Sequence, residues 1–280
     1  MATQNASLSA MVEPAEIILP RTHGALSVGV KHLDGQSRLS RLRQEGAYKA
    51  FFPQVHSGGP LEAVLVNTSG GLTGGDSMSC DVTAHAGSRV MVTTQASEKI
   101  YKSLGPDVRV KNKLTVESGA TLLWCPQDTL MFEGARLHRN LSVDMAPDAT
   151  LVLLESVTLG RTARGEQFDE GCLKDCWRVH VDGALVHAEA ATLDGNLRAK
   201  ACLAGMQAMA TLLIIGPQAA NLPKTLVEDL GIHAALSHWT VAGTDKTVIR
   251  CIAPNSYRLR PALGGILAAL KVDMPRVWRL

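Results

Sequence analysis

The chain has 280 residues, 46% apolar and 19% charged, with a formal net charge of +2. Those proportions describe an ordinary globular protein with enough length for a large core, and give no electrostatic footing for nucleic acid or an anionic membrane. Aromatic residues make up 4%, too few for base-stacking platforms, and the six cysteines lack the density of a disulfide framework, which suits a reducing compartment.

The opening segment MATQNASLSAMVEPAEIILP has neither a basic n-region nor an apolar h-region, so no secretion signal is expected. The longest apolar runs, such as ATLLIIG and GGILAAL, fall short of the ~20 residues of a spanning helix. The expected location is the cytoplasm. Residues 1–16 are small and polar without periodicity and read as a flexible arm; 17–280 read as a single domain. From there to about residue 215, β-prone runs alternate with turns: GALSVGVKHL, EAVLVNT, SRVMVTTQ, VRVKNKLTVESGATLLW, RLHRNLSVDM, ATLVLLESVTLG and WRVHVDGALVHAEA. Turn signals return roughly every ten residues with no clear longer repeat, which predicts a sandwich, barrel or solenoid of β-sheet. The clearest hairpin has Trp177, Val179 and Val181 alternating with Arg178 and His180 before an Asp182-Gly183 turn. The last quarter reads as helix. NLPKTLVEDLGIHAAL has Asn221 as a cap, Pro223 near the first turn, and Leu226, Val227 and Leu230 at helical spacing. NSYRLRPALGGILAALKV predicts a second helix with Leu263, Ile266, Leu267 and Leu270 on one face.

The most conspicuous local feature is NTSGGLTGGD, residues 67–76, behind the apolar run EAVLV. A P-loop needs a lysine after its last glycine, where the backbone N–H groups wrap a phosphate. Here Gly70, Gly71, Gly74 and Gly75 are followed by Asp76, whose charge repels an anion, and no helical pattern follows. The G-x-G-x-x-G spacing fails as well. What remains is a loop that bends sharply, admits a close neighbour, and holds one carboxylate in place.

Three further segments carry chemistry. Cys172, Cys176 and His180 are spaced like a metal comb, but no second pair completes a structural zinc set, and on a strand they span too far for one ion. TTQASEKIYKS places Lys99, Tyr101 and Ser103 on one strand face with Gln95 and Ser97. LESVTLGRTARGE puts Glu155 among Leu153, Leu154 and Val157. A buried carboxylate there must be paired, with Arg161 and Arg164 as the nearby candidates and Glu166 beside them. G-x-S-x-G and H-E-x-x-H are both absent. Two alternatives stay open: a hydrolase using Asp76 and Glu155 as an acid/base pair at ~5–10 Å, and a stable metal-binding protein using Cys172, Cys176 and His180.

NTSGGLTGGD, TTQASEKIYKS, CPQDTLMFEGARLHR and ESVTLGRTARGE, in this order and spacing, resemble the UreD (UreH) family of urease accessory proteins, from about Leu19 to the closing PRVW. The resemblance implies a mainly β, two-layered, solenoid-like stack of strands with two C-terminal α-helices. It also implies a non-catalytic maturation factor that works with UreF, the GTPase UreG and the urease apoprotein to deliver Ni²⁺. No cofactor is tightly bound on this reading; nickel is transient cargo, and a water-filled internal passage is its expected route. Carried over by motif position, Asp76 and Glu155 are expected on the nickel path with Lys99 and Ser103 lining it. Gln95, Tyr101, Arg161, Arg164, Glu166 and the four loop glycines are expected as packing or docking residues. The stretch WCPQDTLMF keeps the family's Pro126, Gln127 and Phe132 but not its second proline.

Overall fold

A computed structural model describes residues 20–54, 59–161, 165–166, 168–194, 203–272 and 274–278. The expected N-terminal arm and Arg164 lie outside the described residues. Two sheets carry the fold. The first runs β14 (Ala184–Asp194), β13 (Cys172–Val181), β11 (Arg136–Met145), β8 (Val108–Val116), β5 (Ser77–Ala84), β1 (His23–Leu33), β2 (Gln36–Gly46). The second runs β16 (His233–Val241), β17 (Thr244–Ala253), β15 (Ala208–Ile215), β12 (Thr150–Leu159), β9 (Thr121–Trp124), β6 (Arg89–Thr94), β4 (Leu61–Asn67), β3 (Tyr48–Phe51). Two short strands, β7 (Glu98–Ile100) and β10 (Thr129–Met131), attach to β12 through β10.

From β4 to β13 the longer strands alternate between the sheets, and within each sheet successive coils pair in parallel. The chain is therefore a β-solenoid whose ends are closed by antiparallel hairpins. The coil length is visible in its side-chain bonds, which join residues 30 to 33 apart: Ser118 to Asp148, Asn67 to Glu98, Trp124 to Glu155, His85 to Glu117, Thr94 to Gln127. This repeat is absent from the sequence reading because rungs share backbone position and apolar character, not residue identity. Its turns stack, with Gly87 N–H donating to Ser118 O and Ala146 N–H to Val116 O.

Alternation on the parallel strands sends Leu137, Leu141 and Val143 of β11 into the space between the sheets, with Leu151 and Leu153 of β12 facing them. The opposite face of β12, Val152 and Leu154, packs against a second apolar cluster under α1 (Ser256–Ala269). That two-sided coverage explains why nine of the ten residues of β12 are buried. The predicted hairpin is present, with Asp182 and Gly183 both at positive φ as a primed turn needs. The second predicted helix is α1, capped by the Asn255 side chain accepting from Arg258 N–H, with Leu263, Ile266, Leu267 and Leu270 buried.

The first predicted helix is a correction. Residues 219–227 hold only two 3-10 turns, Ala219–Asn221 and Lys224–Val227; His233–Val241 is the edge strand β16. Positive φ at Asp229 and Gly231 breaks the run, and pairing with β17 outweighs helix propensity. The described C-terminal region thus has one α-helix, not two. No helix among the described residues is long and apolar enough to cross a membrane.

Leu153 is fully buried between the sheets. Leu153→Ala is expected to lower stability by about 2–5 kcal/mol, read as a shifted urea midpoint with an unchanged slope.

Candidate functional site

The glycine loop lies across the segment that carries β7. Leu72 N–H donates to Lys99 O at 2.8 Å and Tyr101 N–H to Leu72 O at 2.8 Å. A Cβ on Gly71 would stand 2.4 Å from the Tyr101 ring, and one on Gly74 would stand 2.0 Å from Ser103 Oγ and 2.5 Å from Pro106 O. Close approach, not phosphate binding, is what the glycines serve. Asp76 is buried and acts as a clamp: one carboxylate oxygen accepts from Thr22 N–H at 2.7 Å and the other from Thr73 N–H at 2.7 Å. The loop is thereby tied to the start of β1.

TTQASEKIYKS is not one continuous strand. β6 ends at Thr94, residues 95–96 bend, and β7 starts at Glu98. Gln95 and Lys99 are exposed. Ser103 Oγ donates to Pro106 O at 2.6 Å. The Tyr101 ring meets Phe132 edge-on at 5.2 Å, and the Arg161 guanidinium sits over the other side of that cluster, 4.6 Å from the Phe132 centroid. Arg161 pairs with Glu166, not with Glu155 as the sequence suggested. That hydrogen bond raises the Arg161 pKa and lowers that of Glu166. Glu166 also accepts from Glu133 N–H at 3.2 Å, so the pair fixes the lip beside the loop.

Glu155 is buried in mid-strand, and its partner is Arg139 of β11, across the gap between the sheets. Arg139 turns its other edge to Asp175 of β13, with Nε to Oδ1 at 3.1 Å and Nη2 to Oδ2 at 2.5 Å. Trp124 Nε1–H donates to Glu155 at 2.9 Å and Trp177 Nε1–H to Asp175 at 3.0 Å. Burial is the largest influence on Glu155 and pushes its pKa up; Arg139 opposes this, Asp175 adds to it, and Trp124 opposes it. Burial also works against the Arg139 charge, but Asp175 and Glu155 outweigh it and raise its pKa. One guanidinium thus holds two acids inside the fold.

Three cavities meet in this gap. The first, about 170 Å³, lies beside the glycine loop between Asn67, Gly70, Gly71, Gln95, Glu98 and Lys99. It shares Tyr48, Thr94 and Glu98 with a waist of about 60 Å³, which includes Asn112, Trp124, Arg139 and Glu155. The waist shares Arg139 and Glu155 with a third cavity of about 250 Å³, lined also by Asp175, Glu189 and Arg250. Four carboxylates, Glu98, Glu155, Asp175 and Glu189, therefore line three adjoining cavities. Burial lifts the Glu98 pKa to about 7 against hydrogen bonds from Asn67 at 3.0 and 3.2 Å. Glu189 at the far end is held low: burial raises it, but His187 and the bidentate Arg250, at 2.8 and 3.0 Å, outweigh that.

Asp76 lines none of these cavities and shares no partner with Glu155, so nothing brings the two together as an acid/base pair. Cys172, Cys176 and His180 sit four residues apart along the outward face of β13, so neighbours are ~13 Å apart. Among the described residues no group of three or more His, Cys, Asp or Glu side chains is placed to hold a metal ion. Sequence reasoning passed over Arg139, Asp175, Glu98 and Glu189. A signal existed for the first two: each interrupts an inward apolar phase, Leu137-Arg139-Leu141 and Leu173-Asp175-Trp177.

A family model described as "UreD urease accessory protein" matches residues 22–279. The chain is 44% identical over 269 residues to the "Urease accessory protein UreD" of Chelativorans sp. (strain BNC1), covering 94% of this chain and 95% of that one. It is 40% identical over 268 residues to "Urease accessory protein UreD 1" of Brucella abortus biovar 1 (strain 9-941), with coverage of 94% and 95%. Similarity to the protein of the same description from Brucella anthropi is 40% over 274 residues, with coverage of 94% and 96%.

Arg139→Met leaves two buried acids without a counter-charge and is expected to cost about 3–5 kcal/mol, measured by urea denaturation near neutral pH. Glu98 sets a separate pH dependence. With its carboxyl near 4.5 unfolded and about 7 folded, the native state holds the extra proton between those values. Stability therefore falls as pH rises through that window and levels off above it. Glu98→Gln is expected to flatten this part of the profile, checked by urea midpoints across the same range.

Proposed function

Since the chain belongs to the UreD family of urease accessory proteins, we propose that it serves urease maturation as a non-catalytic scaffold in the cytoplasm. On this reading it joins the urease apoprotein to UreF and the GTPase UreG and passes Ni²⁺ through its interior. The observation that carries the reading is the run of cavities between the sheets with Glu98, Glu155, Asp175 and Glu189 along it. Carboxylates are harder ligands than the imidazole or thiolate groups that hold Ni²⁺ firmly, so they meet the cation without the grip of a storage site. Asn112 adds a buried Oδ1 in the waist with no protein partner, an acceptor facing the path.

A conduit must admit its ion and also release it. Here the two inner acids and the far one already have resident cations: Arg139 between Glu155 and Asp175, and Arg250 on Glu189. An arriving ion takes the place of a guanidinium; when the guanidinium returns, the ion is displaced onward. Each carboxylate is thus prevented from becoming a trap. Burial brings the Glu98 carboxyl to about 7, and it stands where the first cavity narrows. Asp76 enters as the clamp that holds the loop at the first mouth, with Lys99 and Gln95 on its rim. Ser103 supports the loop from below Gly74.

Glu98→Leu and Glu189→Leu, each produced with apo-urease and the partner proteins, are expected to leave complex formation intact. Nickel per urease active site should fall several-fold, measured by elemental analysis of the purified enzyme. Full nickel content in both variants would remove the interior route.

A further inference from the structure

The outer face of the first sheet carries a separate pattern. The outward positions of β8 are Arg109, Lys111 and Lys113, three cations in a column with ~6.6 Å between neighbours. Parallel register places His138 of β11 beside Arg109 with Lys174 of β13 on its far side, and Ser142 beside Lys113 with Arg178 on its far side. On the other side Lys113 faces Asp81 of β5, and beyond β1 the edge strand β2 adds Arg41 and Arg43.

Arg109, Lys111, Lys113, Lys174 and Arg41 form no ion pair among the described residues, whereas Arg43 pairs with Glu45 and Arg178 is engaged by the carbonyls of Trp177 and Glu189. Asp107, ahead of Arg109, pairs with Arg136, and Asp144 stands 3.8 Å from His180; among the direct cross-strand partners of the column Asp81 is the one acid. Cations two residues apart on one strand repel each other, and Lys113 alone of the three faces an acid across the strands. The seven cations Arg41, Arg43, Arg109, Lys111, Lys113, Lys174 and Arg178 outnumber the acids Glu45, Asp81 and Asp144 of the same face by four, against +2 for the whole chain.

We infer that this face is a docking surface for an acidic, relatively flat protein surface, and that its occupant is an acidic face of the urease apoprotein; this rests on the maturation role proposed above. Charge complementarity selects a polyanionic partner. Protein is favoured over the other polyanions because the cross-strand neighbours of the column, His138, Asn140 and Ser142 on one side and Ser77, Ser79 and Asp81 on the other, include no Phe, Tyr or Trp platform for successive bases and no apolar side chain to enter a membrane. The cation column lies on the opposite side of the first sheet from the cavities, so docking here leaves the gap between the sheets unobstructed.

The test uses the full chain with Arg109→Glu, Lys111→Glu and Lys113→Glu combined, and the corresponding triple change to Gln. All three side chains are exposed, so thermal melts of both variants should match the unaltered chain. Binding to purified nickel-free urease apoprotein is measured at low and high salt. The expected result is roughly tenfold or greater weakening for the Glu variant at low salt, a smaller loss for the Gln variant, and convergence at high salt. Equal binding by the Glu variant and the unaltered chain overturns the inference and leaves the maturation role standing. No binding by the unaltered chain, alone or with its partners, overturns both. Tighter binding of a DNA duplex or of phosphatidylserine vesicles than of the apoprotein, lost in the Glu variant, overturns the choice of partner.

Discussion

A guanidinium held between two acids, between the two sheets of a β-solenoid, is the constraint around which the rest of this molecule is arranged. Charges of this kind are tolerated inside a fold only when paired and hydrogen-bonded, because each alone would cost several kcal/mol of lost hydration. Glu155, Arg139 and Asp175 come from three different strands in two sheets, and the two tryptophan N–H groups supply the remaining bonds. The cluster therefore holds the sheets at a fixed spacing and keeps a polar seam where an apolar core would otherwise close. The cavities follow from that seam.

Several of these features are legible in the residues alone. The hairpin at Asp182-Gly183, the capped helix after Asn255 and the strongly apolar strand around Glu155 each announce themselves through local chemistry. Local reasoning also identifies Glu155 as a buried acid that needs a partner. It could not identify Arg139, sixteen residues away in sequence, because the pairing depends on which sheet each strand joins. The coil of 30 to 33 residues is hidden for a related reason: a solenoid repeats positions, and nothing obliges it to repeat side chains. The helix expected at 221–236 fails where a helical pattern and an edge-strand position compete, and pairing with β17 decides. Gly71 and Gly74 show the opposite case, a sequence feature that was plain but whose reason, the Tyr101 ring and Ser103 packed against them, appears only in three dimensions.

The distribution of charge gives the molecule two distinct regions. Inside, acids stand in series with arginine counter-ions; outside, on the first sheet, a column of cations forms no ion pair among the described residues. On the proposed reading, an interior path for a divalent cation and a face for an acidic protein are complementary requirements for a part that works between two others. Neither requires bond-making chemistry. On that reading, groups that pass an ion along are spread through the coils, whereas groups that store one converge.

The central claim is that the ion travels between the sheets and not through bulk solvent. The most direct measurement is transfer from nickel-loaded partner proteins, through this chain, to apo-urease in the presence of excess chelator coupled to a polymer too large to enter the cavities. The account predicts the same yield of nickel-loaded urease with and without that chelator. Loss of transfer on adding it would place the ion in open solvent and contradict the account.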